Sequence, residues 1–254
     1  MAYSKSKIVA IKGGLGNQLF QLAFAIFLQK KFNLKVKLDI SWYKNQRLRK
    51  FQLNNFIKNS FLTIFDNYNQ DFIEKLLFYR TEFFFQNLMK KNFLPPINYF
   101  NGYWQDIYFA NYLCLNKHFK IENLKKFFNH DYYVIHLRAG DFLHSKAHYV
   151  LEDAYYTKYI ELFKEKPIYV LCEDETYAKN FIKKNKINAK FVQSDEMISF
   201  RVILHASGGI SSNSTFCWWA VFLSKSRNWI FPYRWLNKKN IIDHNLHISK
   251  TIII

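Results

Sequence analysis

The chain has 254 residues, half of them hydrophobic, and a formal net charge of +18, so it is long enough for one large or two modest packed domains and is not disordered. Its longest uncharged apolar runs, 22–28 and 216–223, are far too short to cross a bilayer. Three widely separated cysteines form neither a disulfide framework nor a CxxC pair, and no signal-peptide pattern precedes the first strand. We therefore expect a cytoplasmic protein.

The positive charge comes from lysines scattered along the chain in short pairs, with no recognised nucleic-acid module among them. We expect no nucleic-acid partner. A basic surface suits a phosphorylated substrate or peripheral contact with an anionic membrane or glycolipid, although lysines on solvated faces alone would also explain it.

The first half opens with a strand at 7–11, a glycine turn at 13–17, an almost wholly apolar helix at 18–32 and a strand at 35–40. This order predicts a βαβ unit whose helix start offers free N–H groups to a ligand. Gly14, Gly16 and Asp39 also form an incomplete dinucleotide fingerprint, in which Leu19 stands at the third glycine position. A nicotinamide-dependent dehydrogenase is therefore an alternative, weaker hypothesis.

The region 42–98 is the least informative, with a helical pattern at 70–91 that Pro95-Pro96 ends. A strand follows at 98–104 and leads into Gln105-Asp106. The aromatic rings of this strand either pack in the core, which we favour, or offer a stacking surface to a sugar.

The second half alternates strands with helices. Strands are predicted at 132–138, 168–172, 189–193, 208–212 and 229–232, and helices at 153–164, 175–185, 195–206 and 215–224. This alternation predicts a parallel sheet covered on both faces, with ligands beyond the carboxyl ends of the strands. His136 and Arg138 share one face of the first of these strands, where they either bind a ligand or are solvated on an edge strand. The polar run 212–215 either only caps the next helix or also holds a phosphate.

Three motifs occur along the chain in this order: GGLGNQLFQ at 13–21, HLRAGD at 136–141 and SNSTFCWW at 212–219. In these motifs the chain resembles glycosyltransferase family 11, the α-1,2-fucosyltransferases. Two further segments, GYWQD at 102–106 and CED at 172–174, resemble segments of bacterial members of the family. The resemblance implies an α/β, GT-B-like fold with two Rossmann-like domains facing a cleft, their parallel sheets covered by helices. Residues 1–128 would form the acceptor-side domain and 129–254 the GDP-sugar-binding domain. The implied reaction is inverting transfer of L-fucose from GDP-fucose to the 2-hydroxyl of a galactose in a bacterial surface glycan.

The resemblance also implies roles for individual residues. Arg138 would bind the diphosphate and stabilise the leaving GDP, His136 would lie close to the nucleotide, and Asp141 completes the predicted catalytic group, more as a residue that orients Arg138 than as a base. Donor contacts are implied for Gly14, Gly16, Asn17, Gln18, Asp174, Asn213, Ser214 and Thr215. Acceptor contacts are expected from Trp104, Gln105 and Asp106.

No metal or other cofactor is expected. The chain has no DxD motif, and Glu173-Asp174-Glu175 lacks further ligands at metal-binding spacing, whereas the permanent charge and planar fork of Arg138 suit the β-phosphate of departing GDP. Ala139 stands where many relatives have arginine or leucine, and Cys217 replaces a common serine. These departures leave open another GDP-sugar transferase of the same fold, and a non-catalytic binding module is a remoter alternative.

Overall fold

The computed structural model describes residues 6–57, 62–66, 82–121, 124–139, 149–235, 246–249 and 251–253. The chain divides into two compact units, Met1–Asn123 and Leu124–Ile254. The division falls before Phe128, which the sequence-based boundary placed in the first domain. The ring of Phe128 stacks on Tyr169 of the second unit with the centroids 4.2 Å apart, so packing assigns it to the second unit.

The described residues of the first unit form a four-stranded sheet of order β3-β2-β1-β4, in which all pairs are parallel. Its strands are β1 (Lys7–Ala10), β2 (Val36–Asp39), β3 (Thr63–Phe65) and β4 (Tyr99–Phe100), and its α-helices are α1 (Leu15–Phe32), α2 (Glu82–Lys90) and α3 (Ile107–Cys114). Short 3-10 helices lie at Ser41–Asn45 and Leu53–Asn55. The chain runs from β1 outward to β2 and β3 and then crosses to β4 on the other side of β1.

Helix α1 is buried along most of its length because apolar residues lie on most sides of it, and the polar Gln18 and Gln21 are buried with them. The ring of Phe24 stacks on Trp104 with the centroids 3.9 Å apart and makes edge contacts with Phe100 of β4 and Phe109 of α3. Helix α1 is therefore the centre of the core of the first unit.

In the part of the second unit that the structure describes, six strands form a parallel sheet of order β10-β9-β8-β5-β6-β7. Its strands are β5 (Tyr133–His136), β6 (Ile168–Leu171), β7 (Lys190–Phe191), β8 (Gly209–Ile210), β9 (Trp229–Phe231) and β10 (Ile252–Ile253). Its α-helices are α4 (Asp153–Tyr159), which continues as a 3-10 helix over Ile160–Phe163, then α5 (Glu175–Lys184), α6 (Glu196–Leu204) and α7 (Thr215–Leu223). The parallel α/β architecture predicted from the sequence is confirmed.

Strand β5 lies in the middle of this sheet, between β6 and β8. Tyr133 and Ile135 face an apolar cluster with Leu137, while His136 faces the ring of Phe216 on α7. The predicted alternation along the strand is therefore correct, and the alternative of a solvated edge strand is wrong. The neighbouring strand approaches so closely that a Cβ at Gly209 would lie 1.9 Å from the Val134 carbonyl oxygen, so only glycine fits there.

Some elements differ from the prediction. Of the helix predicted at 70–91, the structure describes the part from Glu82, and the strand predicted at 98–104 is limited to Tyr99–Phe100. Strand β3 and helix α3 were not predicted. None of the helices in the described part of the chain is both long and apolar enough to cross a membrane.

Candidate active site

The carboxyl ends of β6, β5 and β8 bring the predicted polar residues of the second unit to one edge of the sheet. The chain runs from β5 outward through β6 to β7 and then returns to β8 on the other side of β5, so the strand order reverses between β5 and β8. Such a reversal is the usual ligand site of an open parallel sheet, because the two loops leave it in opposite directions.

His136, the last residue of β5, bridges this reversal. Its Nδ1 lies 2.7 Å from Oγ of Ser212, which follows β8, and only 7% of the residue is exposed. Burial, together with the nearby positive charge of Arg138, lowers the pKa of His136 to about 3. The imidazole is therefore neutral at physiological pH and acts as a hydrogen-bonding group rather than as a cation.

Arg138 lies just beyond β5 and forms an ion pair with Glu173, which follows β6. The arginine side chain is 13% exposed and the glutamate side chain 47% exposed, so a mostly covered guanidinium meets a carboxylate that reaches solvent. A guanidinium has five N–H donors in a planar fork, which matches the oxygens of a phosphate as well as those of a carboxylate. The pair thus holds a cation at the strand ends, where an anionic ligand can compete for it.

The polar run 211–215 joins β8 to α7 and is held mainly by the chain itself. The Asn213 amide donates to the carbonyl oxygens of Tyr149 at 2.7 Å and Trp235 at 3.0 Å. Ser214 is the N-cap residue of α7, but its side chain makes no capping hydrogen bond. Capping by this hydroxyl therefore does not account for the run. Helix α7 begins at Thr215, and the first N–H groups of a helix lack partners within the helix.

The structure describes only one of two further predicted site residues, Asp174 and Asp141. Asp174 caps α5, because its carboxylate accepts a hydrogen bond from the Tyr177 N–H at 2.9 Å. This gives it a local structural task beside the predicted nucleotide contact. Asp141 lies outside the described residues, so its predicted role stays a prediction.

Cys217 lies inside the core, although it replaces a serine that is common in the motif. It is fully buried, and burial raises the pKa of its thiol to about 12, with the Ser211 side chain as a hydrogen-bonding neighbour. The thiol is therefore buried against Ser211 and Ser212 and does not reach solvent.

In the first unit, the glycine turn after β1 is tied together by buried side chains. Gln18 is fully buried; its amide nitrogen donates to the carbonyl oxygens of Gly13 at 3.2 Å and Lys50 at 2.8 Å, and its amide oxygen accepts from the Gln52 N–H at 2.9 Å. The expected ligand contact of this side chain is thus corrected to a structural role. Gly14 precedes α1 as its N-cap residue, and Gly16 is buried within the first turn of that helix.

Asn17 and Gln105 are brought together, since the Gln105 amide donates to the Asn17 side-chain oxygen at 2.9 Å. Trp104 has no exposed surface and stacks in the core, so its ring is not placed to bind a sugar. Asp106 caps α3 through the Tyr108 N–H at 2.8 Å and forms an ion pair with Lys90. Of the three predicted acceptor contacts, only Gln105 is partly exposed.

The dehydrogenase alternative depended on Asp39 offering a carboxylate to a ribose. Asp39 is buried, and its two oxygens accept hydrogen bonds from Ser41 and, at 2.7 Å, from the Tyr99 hydroxyl. The carboxylate is thus used to join β2 to β4, and the fingerprint loses its acidic member as well as its third glycine.

Comparison with known proteins decides the family. The family model "Glycosyl transferase family 11" matches residues 3–241 of the chain. The chain belongs to glycosyltransferase family 11. Two relatives from Escherichia coli are similar to it: the O-antigen biosynthesis glycosyltransferase WbnK, 28% identical over 91% of this chain and 95% of its own, and an alpha-1,2-colitosyltransferase, 26% identical over 85% and 87%.

Solved structures agree on the GT-B-like fold. The fucosyltransferase NodZ from Bradyrhizobium superposes with a TM-score of 0.55 at 10% identity, over 88% of this chain and 94% of its own. NodZ alpha-1,6-fucosyltransferase co-crystallised with GDP gives 0.57 at 12% identity, over 88% and 93%. At such low sequence identity, these two structures support the fold of this family 11 glycosyltransferase and nothing beyond it.

Two residues of this strand-end edge stood in polar segments that the sequence placed there, but neither was given a role of its own. Ser212 and Glu173 each follow a strand of the sheet, and each contacts a predicted residue, His136 and Arg138 respectively. Their position directly after predicted strands was the available signal. Within the described ranges, no group of three or more His, Cys, Asp or Glu side chains is arranged to hold a metal ion.

Proposed function

We propose that this family 11 glycosyltransferase transfers L-fucose from GDP-fucose to the 2-hydroxyl of a galactose in a bacterial surface glycan, of the lipopolysaccharide or O-antigen type, with inversion at the anomeric carbon. The observation that carries the proposal is the position of Arg138: a mostly buried guanidinium at the strand-order reversal of the second unit. The family supports glycosyl transfer, the relative named for O-antigen biosynthesis supports a surface glycan, and the relative named alpha-1,2-colitosyltransferase supports a 1,2 linkage.

In the proposed reaction, the acceptor oxygen forms a bond to C1 of fucose, the bond between C1 and the β-phosphate oxygen breaks, and that electron pair leaves with GDP. The fucosyl group carries positive charge in the transition state while negative charge develops on the β-phosphate. A fixed guanidinium stabilises the second charge, and loss of one such donor typically costs about 100-fold or more in rate. Neutral His136 and the N–H groups at the start of α7 add uncharged donors to the same phosphates.

No metal takes part in the proposed mechanism. Arg138 supplies the cation that a divalent metal supplies in many transferases, and its own ion pair with Glu173 holds it in place before the donor binds. Pre-organisation of this kind is valuable because no side chain has to be reoriented as charge develops.

A second donor sugar is a specific alternative. Colitose is fucose without its 3-hydroxyl, and one of the two relatives is named for transferring it. The diphosphate chemistry at Arg138 is identical for the two donors. Only contacts to the 3-hydroxyl can distinguish them, because an unpaired buried partner for that group would disfavour the deoxy sugar.

We also propose a cytoplasmic enzyme that works at the inner face of the membrane. Its net charge of +18 favours contact with anionic lipid at low and moderate ionic strength. Sedimentation with phosphatidylglycerol vesicles that weakens as salt rises would support this location, and equal recovery with neutral vesicles would contradict it.

The function is tested in two steps. Thermal shift should show stabilisation by GDP, no stabilisation by NAD, and no change on adding EDTA. The enzyme is then offered GDP-fucose and GDP-colitose with a panel of galactose-terminated acceptors, and NMR of the product establishes linkage and anomeric configuration. Stabilisation by NAD without any effect of GDP would refute the proposal, and a product linked elsewhere than the 2-hydroxyl would refute its regiochemistry.

A further inference from the structure

A second group of polar side chains lies at the strand-order reversal of the first unit, between β1 and β4. We call it the β1–β4 cluster: Lys12, Glu82, Asn101 and Tyr103. Lys12 follows the end of β1, Asn101 and Tyr103 follow β4, and Glu82 is the first residue of α2. The cluster therefore occupies in the first unit the position that His136 and Ser212 occupy in the second, beyond the carboxyl ends of two adjacent parallel strands.

The cluster combines an exposed ring with covered charges. The Lys12 ammonium donates to the Asn101 side-chain oxygen at 2.7 Å and lies 4.9 Å from the centroid of the Tyr103 ring. The tyrosine is 42% exposed. An exposed ring beside hydrogen-bonding groups is what a sugar requires, because its apolar face stacks on the ring while its hydroxyls take the polar partners.

The Glu82 carboxylate is held against residues 102–104 by hydrogen bonds from the main chain. It accepts hydrogen bonds from the Trp104 N–H and from the backbone of Tyr103, and the Gln86 amide lies 3.4 Å from it. A Cβ at Gly102 would lie 2.6 Å from the carboxyl carbon of Glu82. The absence of a side chain at Gly102 thus makes room for the carboxylate against the backbone of residues 102–104, the segment that carries Tyr103.

Burial shifts the pKa of both Glu82 and Lys12. Burial raises the pKa of Glu82, against the opposing effects of the two backbone N–H groups, the charge of Lys12 and Gln86. Burial also lowers the pKa of Lys12, against the charge of Glu82. A carboxylate with a raised pKa is a better proton acceptor, since basicity increases with pKa as long as the group is still ionised at working pH.

We propose that the β1–β4 cluster binds the acceptor sugar and that Glu82 is the general base of the transfer. Tyr103 stacks on the sugar, Lys12 and Asn101 hydrogen-bond its hydroxyls, and Glu82 accepts the proton of the attacking hydroxyl. As the acceptor oxygen bonds to C1 of the donor sugar, its proton moves to a Glu82 carboxylate oxygen, and the electron pair of the C1–phosphate bond leaves with GDP. This inference rests on the proposed function, because it needs a hydroxyl acceptor and a nucleotide-sugar donor.

The test is Glu82→Gln, with Glu165→Gln as the matched control because Glu165 is exposed in the second unit. Glu82→Gln should lower kcat by about 100-fold or more, the usual contribution of a general base, with the thermal shift by GDP unchanged. In the wild type, kcat should rise with pH through the raised pKa of Glu82, and this rise should be absent from the variant. Glu165→Gln should match the wild type in both respects.

Two further variants separate catalysis from support of the 102–104 segment. Formate should restore part of the activity of Glu82→Ala, because a small carboxylate can take the vacated position; a purely structural side chain would give no such rescue. Tyr103→Ala, which removes an exposed ring, should raise KM for the acceptor at least fivefold with little change in the KM for GDP-fucose.

The outcomes distinguish this inference from the function on which it rests. A wild-type enzyme that transfers no sugar refutes the proposed function itself. An active wild type with a Glu82→Gln variant within threefold of it and an unchanged pH profile refutes the role of Glu82 alone. An unchanged acceptor KM in Tyr103→Ala refutes the location of the acceptor at the β1–β4 cluster.

Discussion

Replacing Arg138 by alanine should remove transfer while the chain stays folded. The guanidinium is mostly covered, but its partner Glu173 reaches solvent, so the loss of the ion pair leaves a carboxylate that water can hydrate. Such a pair contributes on the order of 1 kcal/mol or less to stability. The partly buried methylene stem of the arginine adds about 1–2 kcal/mol, so the melting temperature should fall by less than about 10 °C.

The effect on catalysis should be larger than the effect on stability. Loss of one pre-organised donor to a developing negative charge costs roughly 100- to 1000-fold in rate, or about 3–4 kcal/mol. Arg138→Lys keeps a charge but loses the planar fork, so its activity should lie between those of the alanine variant and the wild type. In the alanine variant His136 stays neutral at pH 7, because burial is the larger cause of its lowered pKa.

The assay is the initial rate of GDP release at saturating donor and acceptor, with circular dichroism as the measure of folding. Glu173→Gln is the matched control, since it removes only the charge of the partner. The glutamine side-chain oxygen can still accept a hydrogen bond that holds the guanidinium, so the variant should keep at least a third of the wild-type kcat. If Arg138→Ala retains more than a tenth of the wild-type kcat, Arg138 does not stabilise the leaving group. If it fails to fold, the separation of stability from catalysis is wrong.

Three other predictions concern residues of the second unit, and the last of them uses Cys114 of the first unit as a reference. The pKa of His136 is about 3 in the folded chain against an ordinary 6.5, so the unfolded chain binds more protons between these two pH values. The free energy of unfolding should therefore fall as pH is lowered from 6.5 towards 3. Urea unfolding of His136→Asn should show a shallower fall, and identical slopes for the variant and the wild type would contradict this. Ser212→Ala leaves the buried Nδ1 of His136 without its hydroxyl partner and should cost about 1–3 kcal/mol in the same measurement. Under native conditions a thiol reagent should modify exposed Cys114 and leave Cys217 intact, because burial of Cys217 suppresses formation of its thiolate. Rapid modification of Cys217 would contradict this and would show that α7 opens.

The sequence by itself determined the class of fold and the residues at the centre of the second unit. Apolar periodicity predicted α1 and the alternation of strands and helices, because which face of an element is buried depends on local spacing. Since parallel strands end at one edge of their sheet, the predicted strands also placed His136, Arg138 and the run 212–215 together. The order of three motifs added the family, which the match over residues 3–241 then confirmed.

Tertiary structure decided which polar residues face a ligand and which serve the fold. Gln18 belongs to the first motif, yet its amide is consumed by backbone partners up to 34 positions away, and Trp104 is stacked on a helix that precedes it by 80 positions in the chain. His136 and Ser212 are 76 positions apart and meet only because β5 and β8 are neighbours. Glu82 carried no local signal, because its contact with the backbone of residues 102–104, which lie up to 22 positions further along the chain, depends on Gly102. Hydrogen-bond partners and burial are properties of strand order and packing, which no local pattern contains.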